Sequence, residues 1–174
     1  MFNGSKIKLA LSTGLTVAGI GIASFVAVPA YAATGSTTAN ASVNSKITFS
    51  GLSAAFTATG DPLTTAAAPS AVTMNVRTNN KTGYTVTVQA AAANMVGTAG
   101  NTDVIPVSAM SVRNTATGGA YTAISSSAAV TVASTSVKST GGGDTVNNDY
   151  QIAIPWVNAD TYSVTLNYIA ANNP

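Results

Sequence analysis

The chain has 174 residues, with seven Lys and Arg against five Asp, no Glu, no His and no Cys. Without His, Cys and Glu, most zinc chemistry, His-dependent catalysis and all disulfides are excluded together. The formal net charge of +2 rests on Lys6 and Lys8. Beyond them Lys46, Arg77, Lys81, Arg113 and Lys138 balance Asp61, Asp103, Asp144, Asp149 and Asp160, which leaves no electrostatic footprint for nucleic acid or an anionic membrane.

Residues 1–32 read as an export signal. Lys6 and Lys8 precede the apolar stretch Leu9–Val28, and Ala30-Tyr31-Ala32 supplies the small-x-small pattern of signal peptidase, so cleavage after Ala32 is expected. The competing reading is an uncleaved anchor, since about twenty apolar residues can span a bilayer; the cleavage site and the interspersed glycines favour removal. After cleavage no membrane contact is expected. Residues 33–41 are small and polar and read as a flexible tail, and 42–174 as one domain of about 130 residues, enough to bury a real core.

Within that domain the signals are those of strands. Ser42–Ser50 alternates Val43, Ser45, Ile47 and Phe49 and predicts the first strand. Gly51–Pro69 holds no sustained period, and its Gly60-Asp61-Pro62 turn suggests a connection crossing between two sheets. Ala71–Thr78 and Tyr84–Ala90 alternate with period two around the loop Asn79–Gly83, which predicts a hairpin. The Ala run in Ala91–Thr102 favours a helical turn stopped by Gly97 and Gly100. Short strands are expected at Val104–Val107, Met110–Arg113, Ala120–Ser125 and Ala128–Ala133, with Val137 extending the last.

The closing stretch, Asp149–Pro174, carries the strongest pattern. Tyr150, Ile152, Ile154 and Trp156 alternate with smaller or polar residues, and so do Tyr162, Val164, Leu166 and Tyr168. The Asn158-Ala159-Asp160 break between them suggests a second hairpin. Apolar groups on one side only need a second layer to cover them. The expected fold is all-β: a single antiparallel β-sandwich of the Ig-like, Greek-key type, with about eight or nine short strands.

No residue set favours catalysis. Asp61, Asp144 and Asp160 stand in turn contexts, where Asp caps backbone groups. Lys138-Ser139 and Ser45-Lys46 lack a nucleophile-elbow pattern, and Thr140–Asn148 lacks the alternating carboxylates of a Ca²⁺ loop. Neither a metal nor a cofactor is expected, and the chain reads as a non-enzyme. The remaining candidates are aromatic. Tyr84, Trp156 and Tyr168 could stack on sugar faces, but they fall in phase with Val, Ile and Leu, as core residues do. For Tyr84, Tyr162 and Trp156 burial in the core is the favoured reading; Tyr168 stays open.

Two segments resemble the paired motifs of the WxL domain of Gram-positive cell-surface proteins. Asn80–Val88 (NKTGYTVTV) is similar to the GW-x-L-x-V segment, with Tyr84 at the Trp position and Val86 at the Leu position. Thr161–Pro174 (TYSVTLNYIAANNP) is similar to the closing strand, with Tyr168 at the second Trp position and Ala170 at the Leu position. Both Trp positions are thus Tyr. The resemblance implies a secreted β-rich domain attached non-covalently to the cell wall, with peptidoglycan or another surface polymer as partner and a role in adhesion. The closing strand also resembles that of spore-coat-U-type pilin subunits. That likeness, the charge-poor strands and the tail imply an alternative: a structural subunit that self-associates by β-strand addition.

Overall fold

A computed structural model describes residues 33–174; the expected export signal lies outside the described residues. Ser42–Pro174 forms one compact unit. Residues 33–41 have no regular secondary structure and are exposed.

The unit is all-β and antiparallel throughout. It has ten strands: β1 Ile47–Ser50, β2 Thr65–Thr78, β3 Tyr84–Ala90, β4 Asn94–Val96, β5 Val104–Pro106, β6 Met110–Asn114, β7 Thr122–Ala123, β8 Val130–Thr135, β9 Asp144–Ala153 and β10 Leu166–Asn172. A five-stranded sheet has the order β1-β2-β9-β6-β7, a three-stranded sheet the order β10-β3-β8, and β4 and β5 pair with each other. The only helical piece among the described residues is a 3-10 turn at Val107–Ala109.

Period-two burial joins the two larger sheets. In β3, Tyr84, Val86, Val88 and Ala90 are buried while Thr85, Thr87 and Gln89 are partly open. They share one core with Val72, Met74 and Val76 of β2, Met110 and Val112 of β6, and Val146, Tyr150 and Ile152 of β9. Fully burying each such aliphatic side chain is worth about 1.5–3 kcal/mol, which is why a mostly Ala, Ser and Thr chain folds at all.

The strand pairings differ from the expected ones. Ala71–Thr78 and Tyr84–Ala90 do not form a hairpin: β2 pairs with β1 and β9, whereas β3 pairs with β10 and β8. Asn79–Gly83 is a corner that carries the chain from one sheet to the other, with the Gly83 amide donating to the Asn80 carbonyl at 3.0 Å. Likewise the closing stretch is not a hairpin, because β9 lies in the five-stranded sheet and β10 in the three-stranded one. Conversely, the connection after β1 does not cross between sheets, since β1 and β2 are neighbours with Ile47 opposite Thr78.

The local departures have local causes. β2 begins at Thr65, so Ala66 and Ala68 of the unpatterned stretch are buried strand residues. It is interrupted at Pro69-Ser70, where the register shifts, Ser70 adopts φ 48°, and its amide donates to Asp149 Oδ1 at 2.8 Å. Residues 42–46 remain outside β1, and Val43 is exposed. Bends and β4 replace the expected helical turn, Met95 being buried opposite Ile105. Val137 is exposed rather than extending β8.

The sandwich has two ends. At the corner end lie Val76 opposite Asp144, the Asn79–Gly83 turn and the last residues of β10, where Asn172 stands opposite Tyr84. At the far end lie Thr65 opposite Ala153, Leu166 opposite Ala90, and Met110 opposite Ile152. The chain terminus is fastened at the corner end. Asn173 donates from Nδ2 to the carbonyls of Thr82 and Thr135, and its own carbonyl accepts from Asn80 Nδ2 at 2.7 Å.

Candidate functional site

The three aromatic candidates are not brought together. Tyr84 is 3% exposed, with its hydroxyl donating to Asp144 Oδ2 at 3.3 Å. Burial, reinforced by the neighbouring Asp144 carboxylate, pushes its pKa up to about 12. It is a core residue, so its candidacy as a glycan contact is withdrawn.

Trp156 behaves in the opposite way. It is 79% exposed, although the alternation of the closing stretch puts it in the core. The ladder of β9 ends at Ala153, and Ile154 instead exchanges backbone hydrogen bonds with Thr64 and Leu63 at 2.9 Å each. Pro155 has no amide to continue a ladder, so the phase is lost there and the indole turns outward.

Tyr168 is half-buried on the inward face of β10. Its hydroxyl meets that of Tyr150 and lies 3.4 Å from Asn148 Oδ1. Asn148 and Tyr150 are both fully buried, so this trio is a polar pin between the sheets. Burial raises the pKa of Tyr150 to about 12 and raises that of Tyr168 further, with Tyr150 adding to the effect.

A concavity among the described residues runs beside β10, where it touches Leu166 and Tyr168. It is a groove of about 810 Å³, walled by residues 52–62 on one side and 157–166 on the other, with Val72, Met110, Ile152 and Tyr168 along its floor. Such a volume lies in the range of ligand clefts, about 300–1,000 Å³. The groove exists because the layers are unequal: five strands face three. Leu166, Tyr168 and Ala170 point inward yet are only half-covered. Phe56, from the irregular segment after β1, reaches over to Tyr150 with ring centroids 4.6 Å apart and closes part of the gap.

The groove's far-end lip is tied together by hydrogen bonds. Asp160 Oδ2 accepts from Thr98 N at 2.8 Å and Asn101 Nδ2 at 2.7 Å, while Oδ1 accepts from Thr98 Oγ1 and Thr161 N. These donors, Asn101 and Thr98 foremost, hold its pKa down to about 2. Asn101 also donates to the Tyr162 hydroxyl, and Asp103 accepts from Asn158 N at 2.8 Å. With both oxygens engaged, Asp160 serves as a turn carboxylate. Asp61 is likewise in a turn, its carbonyl accepting from Thr64 Oγ1 at 2.7 Å, and Asp144 caps Thr140 N at 3.1 Å.

Asp149 is the carboxylate whose surroundings the sequence does not reveal. It lies inside β9 and is 4% exposed. Arg113 Nε donates to it at 3.0 Å, Thr115 Oγ1 at 2.7 Å and Ser70 N at 2.8 Å. The Ser70 amide and the Thr115 hydroxyl lead in lowering its pKa, with Arg113 contributing. No local motif marks it, because its partners come from β6, the residue following β6, and the break in β2. It locks the break in β2 to β6 and has no free oxygen for chemistry.

Among the described residues no cluster of carboxylates fit to hold a metal ion is found, and no helix is long and apolar enough to cross a membrane. Compared with known protein families and with characterised proteins, the chain matches none.

Proposed function

We propose that this chain is an exported, non-catalytic protein of the bacterial cell surface that works by binding and is held to the wall non-covalently. The observation that carries this reading is the open groove beside β10, apolar on its floor, whose lip carboxylate Asp160 is spent on turn hydrogen bonds. Such a surface suits holding an extended partner rather than transforming a small one. The export signal expected in residues 1–32 and the two WxL-like segments support the location. Contact with peptidoglycan or another wall polymer falls to Trp156, the exposed member of the aromatic candidates.

Co-sedimentation of the purified protein with purified Gram-positive walls at physiological salt tests this. The protein is expected in the pellet, with less of it there for Trp156→Ala. A protein that stays in the supernatant removes wall attachment.

A second reading, a structural subunit that assembles by strand addition, is favoured by one feature of β10. Among the described residues its backbone ladder runs to β3 alone, and its sequence, LNYIAAN, carries no Lys, no Pro and no charge to blunt the open edge.

A further inference from the structure

We infer that the groove beside β10 is the seat of residues 33–43 of a second copy of this chain, added as an antiparallel strand on the open edge of β10, so that copies join head to tail. This rests on the strand-addition reading above and names its partner, polarity and site.

Four observations converge on it. The first is the missing strand. A fourth strand next to β10 would set a four-stranded sheet opposite the five-stranded one. It would cover the half-open Leu166, Tyr168 and Ala170 and satisfy the backbone groups of every second β10 residue. Ile169, 63% exposed on the outer face, would gain a cross-strand neighbour as well.

The second observation is a segment, 33–43, that belongs to no sheet among the described residues. Every residue from 33 to 46 is exposed, and none of 33–45 is charged. Ala39, Ala41 and Val43 alternate with Asn40, Ser42 and Asn44, a half-apolar strand pattern. The small apolar residues let the added backbone approach the β10 edge closely. Residues 33–43 extend to about 35 Å, ample to run the seven residues of β10.

Third, direction favours another copy over the chain's own tail. Asn79 holds the tail root at the corner end, accepting from Lys46 N at 2.7 Å and donating to the Asn44 carbonyl at 2.9 Å. β1 then runs away from that end, from Ile47 opposite Thr78 to Ser50 opposite Asn75. A chain's own tail could reach its groove only by reversing at the pinned root and would lie parallel to β10. The tail of a copy stacked corner end to far end enters the groove from the far end, N-terminus first. It then runs antiparallel to β10, the stronger pairing.

Fourth, the charges are segregated. Lys46, Arg77, Lys81 and Lys138 stand at the corner end with Asp144 as the one Asp there, and Lys46, Arg77 and Lys138 line one cleft. Asp61, Asp103 and Asp160 stand at the far end, where the groove opens. Arg113 and Asp149 neutralise each other between them. The module is neutral as a whole but bipolar along its strands, so head-to-tail stacking sets an excess of positive charge against the acidic groove mouth. Because head-to-tail contacts do not close on themselves, the product is a row of copies.

Sedimentation velocity and negative-stain microscopy of the protein as released by its producing cell test the inference, beside the variant Ala41→Pro. Wild type is expected to form concentration-dependent oligomers that weaken as salt rises. Ala41→Pro is expected to weaken association by about tenfold or more with unchanged circular dichroism and melting, and a synthetic peptide of residues 33–45 to cap growth where a scrambled one does not. A wild-type monomer at all concentrations overturns the inference, and so does association that Ala41→Pro leaves unchanged. A monomer whose melting temperature falls in Ala41→Pro overturns it too, because the tail then occupies its own groove. Wall co-sedimentation of the same samples separates the two readings: a monomeric wild type that still pellets sinks the tail assignment and spares wall attachment.

Discussion

The hydroxyl of Tyr150, on β9, meets the hydroxyl of Tyr168, on β10, across the space between the two sheets. Sequence places these residues on successive segments of one stretch, yet they face each other from opposite layers, with Asn148 completing the contact. Tyr168→Phe removes the Tyr150 hydroxyl's partner and leaves the buried Asn148 Oδ1 without its donor. A loss of about 1–3 kcal/mol is expected in urea unfolding. In Tyr150→Phe/Tyr168→Phe the loss should be less than the sum of the single losses, because both groups act through one bond.

The same tyrosines shape the alkaline limb. Tyr84 and Tyr150 have folded pKa values raised to about 12, against an unfolded value of about 10. The folded state therefore retains protons that the unfolded state releases, and stability present below about pH 10 should fall as pH rises toward about 12. Melting temperature across that window, followed beside tyrosinate absorbance, checks it. The phenolate absorbance of Tyr84 and Tyr150, taken as the difference from their Phe variants, should appear with unfolding rather than before it.

Asp149 governs the acid limb. Its folded pKa lies below the unfolded carboxylate value of about 3.9. Its stabilisation is thus complete above that value and lost as pH falls through the folded one. Asp149→Asn should remove much of this acid dependence. It should also cost about 2–3 kcal/mol near neutral pH, the low side of a broken buried pair, because Arg113 is partly solvated. Melting curves between pH 2 and pH 7 on the two proteins read both effects, on the order of magnitude given.

Two glycines should differ in their response to the same change. Gly83 closes the corner with φ 80°, and a Cβ there would lie 2.1 Å from the Thr135 carbonyl oxygen. Gly83→Ala should cost at least ~2 kcal/mol. A Cβ at Gly141 meets nothing within 4 Å, so Gly141→Ala should stay within about 0.5 kcal/mol of wild type. Paired chemical denaturation checks both.

Trp156 is the sole Trp, so fluorescence reports it alone. Its emission should match that of a solvent-exposed indole, with acrylamide quenching close to that of the unfolded chain. Trp156→Ala should change stability by no more than about 0.5 kcal/mol. A blue-shifted, protected indole would contradict the exposure on which the wall-contact reading draws.

The candidate site was only partly legible. Tyr168 was open to either role, and its place on the groove floor depends on the number of strands in each layer. Tyr84 follows the alternation faithfully and is core. For Trp156 the alternation misled, and Pro155 was the available signal that the ladder had ended. Asp149 had no such signal, because Arg113, Thr115 and Ser70 reach it from β6, the residue following β6, and the break in β2.

By itself the sequence determined an all-β chain, most of its strands apart from β4 and the first half of β2, and which residues of those strands face inward, because side chains alternate strictly along an extended backbone. Tertiary structure alone decided which strand lies beside which. Two consecutive strands bury the same residues whether they sit side by side in one sheet or face each other across the core. Apolar periodicity is therefore identical for a hairpin and for a crossing between layers. The corner at Asn79–Gly83 and the link from β9 to β10 resolve that choice in favour of crossing, which leaves one layer short of a strand and the groove open.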